Sequence, residues 1–158
     1  MQDGLYFEDY TVDWSYKSEA RAITEEGVKA FVDIHAFHTP TFTDASYVKQ
    51  SKDYGARMSP GLHVLSMAEG LLLQAGLTRK RGIFLMELSP KFLKPVFVGD
   101  SISNRVRLAS KRLTSKPDRG VVVTAHEVVN QNGEVVLSYE STRMIRTKQY
   151  VEQAAIAS

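Results

Sequence analysis

The chain has 158 residues, 43% of them hydrophobic and 24% charged, with 20 basic against 18 acidic side chains and a net charge of +2. That is the balance of an ordinary globular domain with enough length for a core, and it holds no dense basic block of the kind a nucleic-acid surface needs. Absence of cysteine excludes disulfides and a thiol nucleophile, and four dispersed histidines argue against a metal site.

Residues 4 to 10, GLYFEDY, set aromatics beside acids and read as a lead-in or short edge segment. From 12 to 24, Val12, Trp14, Tyr16, Ser18, Ala20 and Ala22 alternate with Asp13, Ser15, Lys17, Glu19 and Arg21, a period of two that predicts a first strand. Thr24 then caps a helix with Glu25 and Glu26 in its first turn; it runs to about His35, with Val28, Phe31, Val32 and either Ile34 or His35 facing inward. Residues 36 to 58 hold Pro40, Asp44 and Gly55 and read as a loop around one short helix from Asp44 to Lys52. An irregular stretch of that length between two helices is a usual place for function.

Residues 59 to 77, SPGLHVLSMAEGLLLQAGL, form the stretch around which the chain is organised. Ser59 is suited to cap a helix, Pro60 to its first position and Gly76 to its end. Nine apolar residues leave only a thin stripe of Ser66, Glu69 and Gln74, which demands burial on several sides. Glu69, Gln74 and His63 interrupt the run, so it reads as a soluble core helix and not a membrane span. After the basic turn at 78 to 82 come strand-like segments at 83 to 96, bent at Pro90, then at 101 to 114, 120 to 130 and 134 to 147. Asn132-Gly133 joins the last two as a hairpin. Residues 148 to 158 read as a helical end. The expected class is α+β: one domain over residues 1 to 150, a long central helix wrapped by a curved antiparallel sheet, with a tail at 151 to 158. The first residues, MQDGLYFEDY, lack a basic start followed by an apolar run, so a cytoplasmic protein is expected.

This order of elements resembles the hotdog fold. KFLKPVFVGDSI, residues 91 to 102, is similar to the F-x-x-P-V-F-V-G-D signature of the MaoC-like dehydratases and R-specific enoyl-CoA hydratases, and residues 23 to 48 resemble that family's helix and hydratase loop. The family's loop reads G-D-x-N-P-L-H-x-D, its first Asp and its His forming the catalytic pair. Without gaps, Pro40 and Asp44 fall on the family's Pro and last Asp, and Phe37 and Phe42 stand where the pair belongs. A gapped register instead sets Asp33 and His38 as the pair.

The resemblance implies addition of water to, or its removal from, a coenzyme A or carrier-protein acyl thioester, with no further cofactor. Such chemistry needs a proton-handling pair and donors aimed at a thioester oxygen that becomes enolate-like. The first-turn amide of Gly61 matches the family's oxyanion position, while the family's preceding His is Pro60 here. His38, Asp33 and Asp44 are the candidate catalytic residues. Ser59, Gly61, Leu62, Phe37, Phe42 and Thr39 are the candidate substrate-binding residues, Thr39 standing in for the family's Asn. His63 reads as a hydrogen-bonded core histidine and His126 as structural or exposed. Arg79, Lys80, Arg81, Lys111, Arg112 and Lys116 are candidates for the phosphates of coenzyme A. A hotdog thioesterase using Asp33 or Asp44, and a binding subunit without turnover, are the alternatives. The family's habit implies a homodimer or a dimer of dimers; the charge balance and the interrupted apolar run lead to no expectation of a nucleic-acid or membrane partner.

Overall fold

The computed structural model describes residues 3–150. The chain runs through a 3-10 turn (Phe7–Asp9), β1 (Ser15–Lys17), β2 (Arg21–Ala22), α1 (Glu25–His35), α2 (Pro40–Thr43), α3 (Ala45–Gln50) and α4 (Gly61–Gln74). The strands β3 (Gly82–Leu88), β4 (Lys91–Phe92), β5 (Ser101–Leu113), β6 (Arg119–Asn130) and β7 (Val135–Arg146) follow. All strands join one antiparallel sheet in the order β1–β5–β6–β7–β3, with β2 added to β5 and β4 to β7. One face of that sheet closes on α4, the arrangement expected of a central helix wrapped by strands.

Alternation explains which face does so. Ile102, Asn104 and Val106 of β5 register with Asn130, Val128 and His126 of β6, and Val128 and His126 register with Leu137 and Tyr139 of β7. Ile102, Val128, Leu137 and Tyr139 bury against Val64, Leu65 and Ala68 of α4 and Val28 and Val32 of α1. A second cluster of Phe7, Tyr10, Val122 and Ile145 closes the far end. The opposite sheet face carries Arg105, Arg107, Glu127 and Glu140, all exposed.

Several expectations are met closely. Thr24 Oγ1 accepts from the Gly27 amide at 3.0 Å, and α1 ends at His35. Pro90 separates β3 from β4. In the hairpin, Gly133 takes φ 78° and Asn130 Oδ1 accepts from the amides of Asn132 and Glu134. Gly76 lies just past α4 at φ 81°, a conformation glycine adopts without strain.

Three expectations need correction. The strand read over 12 to 24 is broken: Ser18 N still donates to Asn104 O, but the Asn104 amide is taken by Ser18 Oγ in place of a backbone carbonyl, and strand pairing resumes only at Arg21. The loop holds two short helices, not one: Pro40 opens α2, and Asp44 opens α3 by accepting from the amides of Ser46 and Tyr47. Ser59 does not cap α4. Pro60 takes the cap position, α4 has no side-chain cap, and the Ser59 hydroxyl bonds His63 Nδ1 instead. The helical end expected for 148 to 158 lies mostly outside the described residues.

Beneath the middle of α4 the polar stripe meets the sheet. Glu69 accepts from the Tyr139 hydroxyl at 2.8 Å and pairs with Arg143. Asn104 Nδ2 donates to the Tyr139 oxygen at 2.9 Å and to the Ala68 carbonyl at 3.1 Å. The His126 ring stacks on Tyr139 with centroids 4.1 Å apart. This network fixes the helix on the sheet in one register.

Candidate active site

The amino end of α4 is held by backbone pairing with the segment that contains the PVFVGD motif. Ser59 N donates to Val96 O at 2.8 Å and Val98 N to Arg57 O at 2.9 Å. The motif makes a tight turn: Gly99 takes φ +97°, and Asp100 Oδ2 accepts the Phe97 amide at 2.8 Å. Gly99 N then donates to Ile23 O, which ties the turn to the chain just before α1. The motif's glycine and aspartate therefore serve the position of the helix start and need not touch a ligand.

A groove of about 510 Å³ opens at this point, walled by Phe37 and Phe42, by Met58 through Leu62 and Val64, and by Phe92 through Val96, with Val136 and Leu137 at its base. The amides of Gly61 and Leu62 have no acceptor among the described residues. First-turn amides lack an intrahelical acceptor and carry the positive end of the helix dipole, so they suit an oxygen that gains negative charge. A side chain at position 61 would stand 2.9 Å from Cδ1 and Cε1 of Phe92, so glycine is required there for the ring to lie against the helix start.

The candidate residues divide sharply. Phe37, Phe42, Ser59, Gly61 and Leu62 all line the groove. Asp33, His38, Thr39 and Asp44 do not. Asp33 is bonded to Lys29 at 2.5 Å on the exposed side of α1. That ammonium, with the charge of His38 as a minor cause, holds its carboxyl below the usual range. Asp44 is spent on the first turn of α3: bonds from the Ser46 hydroxyl and the backbone lower its pKa. Thr39 is exposed at the start of α2, with no side-chain cap bond. His38 is exposed. The two positions that the ungapped register assigns to the family's proton-transfer pair thus do face the groove, and this chain places phenyl rings there.

His63 is buried, bonded to Ser59, and lies beside Phe31 with ring centroids 5.2 Å apart. Burial first, then the charge of Arg21, pushes its imidazole below the usual range. His126 is buried as well, and desolvation pushes it down to about 3. Of the basic residues proposed for phosphates, Lys80 and Arg81 pair with Asp3, and Lys111 donates to the Phe7 carbonyl. Sequence reasoning missed Phe92 and Lys94 as groove residues and the Ser59–His63 bond, although an i, i+4 spacing across a helix start signals such a contact.

A family model described as the FAS1-like dehydratase domain region matches residues 11–139. The chain belongs to this dehydratase family. Solved structures show that it has the hotdog fold. A monoamine oxidase regulatory protein of Archaeoglobus fulgidus is 29% identical, with a TM-score of 0.84, over 93% of this chain and 97% of that one. A MaoC-like dehydratase from Rhodospirillum rubrum superposes with a TM-score of 0.81 at 23% identity, over 92% and 99% of the two chains. The R-hydratase PhaJ1 from Pseudomonas aeruginosa does so with a TM-score of 0.74 at 20% identity, over 92% and 88%. Among curated proteins no match was found. No helix of this dehydratase-family chain is long and apolar enough to cross a membrane among the described residues.

Proposed function

We propose that this chain is a MaoC-like R-specific enoyl-CoA hydratase or 3-hydroxyacyl-CoA dehydratase, acting on acyl thioesters with coenzyme A or a carrier protein as part of the substrate and no separate cofactor, in the cytoplasm. One observation carries the reading: Gly61 and Leu62, whose first-turn amides have no acceptor among the described residues, line a groove whose walls are mostly apolar. The apolar walls suit an acyl chain, and the amides suit the thioester oxygen.

The reading includes a second copy of the chain. β3 is an edge strand, and Phe84, Leu85 and Met86 on it are 53%, 41% and 42% exposed. An uncovered apolar edge of this kind pairs with another strand. A homodimer joined through β3, alone or doubled, covers it.

A second reading rests on a specific observation. Asp33, His38 and Asp44 lie outside the groove lining, and phenyl rings hold the family's two proton-transfer positions. That favours an acyl-thioester binder without turnover. Incubation of the purified protein with crotonyl-CoA and with octanoyl-CoA separates the readings. Loss of enoyl absorbance supports the hydratase, release of free thiol supports a thioesterase, and saturable binding of octanoyl-CoA with neither supports the binder. His38→Ala is expected to leave enoyl turnover within about twofold of wild type, as an exposed residue outside the groove should.

A further inference from the structure

Among the described residues, only two polar side chains line the groove, Ser59 and Lys94. Lys94 is committed elsewhere, its ammonium 2.5 Å from Glu134 Oε1. Ser59 is different. It is 4% exposed, and its Oγ lies 2.8 Å from Nδ1 of His63, itself 8% exposed and one turn further along α4. A hydroxyl backed by an imidazole is the arrangement by which proteins move protons at a reacting centre. It stands two residues before the free amide of Gly61 and three before that of Leu62.

We propose, on the hydratase reading above, that Ser59 and His63 form the proton-handling pair of this chain, with Ser59 touching the reacting water and His63 acting through it. The imidazole carries its proton on Nε2, which leaves Nδ1 free to accept from Ser59. In the hydration direction, water gives a proton to Ser59 Oγ as Ser59 gives its own to His63 Nδ1. The water oxygen bonds the β carbon, and the electron pair of the carbon–carbon double bond moves through the α carbon onto the thioester oxygen, held by the amides of Gly61 and Leu62. The proton then returns from His63 through Ser59 to the α carbon. One water has been added and both side chains are restored; dehydration runs the same steps backward. Burial, then the charge of Arg21, lowers the pKa of His63 and so disfavours its charged form, and the Phe31 ring lies beside it.

The test compares the full-length wild type with Ser59→Ala, His63→Gln and Ser59→Thr on crotonyl-CoA and trans-2-octenoyl-CoA, with a thermal melt of each. Glutamine keeps a hydrogen bond to Ser59 but cannot take a proton. The expected result is a fall in kcat of about 100-fold or more for Ser59→Ala and for His63→Gln, with KM within about threefold and melting unchanged. Ser59→Thr, which keeps the hydroxyl, retains activity within about tenfold. Wild-type turnover that survives in Ser59→Ala or in His63→Gln overturns the pair and leaves the hydratase reading standing. A wild type that binds these thioesters without hydrating them overturns both. Should one variant lose its fold, the other two decide.

Discussion

Two polar regions of α4 stand in contrast, one at its middle and one at its amino end. At the middle, Glu69, Tyr139, Asn104 and Arg143 bond one another under cover of the sheet. At the end, the amides of Gly61 and Leu62 have no acceptor among the described residues, and both residues line an open groove. Buried polar groups are kept when paired, whereas free donors at the edge of an apolar groove are available to a ligand. The first region holds the helix in place, and the second uses that placement.

The comparison breaks most severely at Glu69. Glu69→Ala leaves Arg143 without its partner and Tyr139 without its acceptor, and removal of one member of a largely buried pair costs about 3 kcal/mol or more. Urea denaturation should show that loss, with acyl-CoA binding by whatever fraction stays folded unchanged. Gly61→Ala should do the reverse. The new methyl meets Phe92, which is half exposed and free to swing away, so stability falls by under about 1 kcal/mol. Turnover or thioester affinity falls by about 100-fold as the ring or the methyl blocks approach to the amide.

Acid sharpens the contrast further. His126 belongs to the covered region, stacked on Tyr139 with Nδ1 unpartnered. Its folded pKa is about 3 against an ordinary 6.5, so below pH 6.5 the unfolded chain binds a proton that the folded chain refuses. Stability is therefore complete above pH 6.5 and declines on acidification, at about 1.4 kcal/mol per unit for this one group. Denaturation between pH 7 and 5, where carboxylates stay ionised, should show the decline, and His126→Phe should flatten it. The direction for His63 is the same, so a residual slope in that variant is assigned to the groove end of the helix.

Much of this architecture was legible because single residues state their local role. Thr24, Gly76, Pro90 and Asn132-Gly133 each marked a boundary that the structure keeps. Where local pattern misled, a distant partner had intervened. Ser18 looks like any residue of an alternating strand until Asn104, 86 residues away, donates to its hydroxyl. Ser59 looks like a cap until His63 captures it. Asp33 and Asp44 were attractive by type and spacing, but spacing along a loop does not reveal that Lys29 and the start of α3 already occupy them. The fit of Phe92 against Gly61 was hidden for the same reason: only the paired segments 57 to 59 and 96 to 98 bring them together.

On the proposed reading, the free amides at the head of α4 receive a thioester oxygen. Its most direct test is the amide spectrum of the 15N-labelled protein titrated with octanoyl-CoA. Saturable shifts are expected, largest at Gly61 and Leu62 and accompanied by Phe37, Phe42 and Phe92 around them. Shifts that leave those two amides unmoved while residues elsewhere on the sheet respond would contradict it.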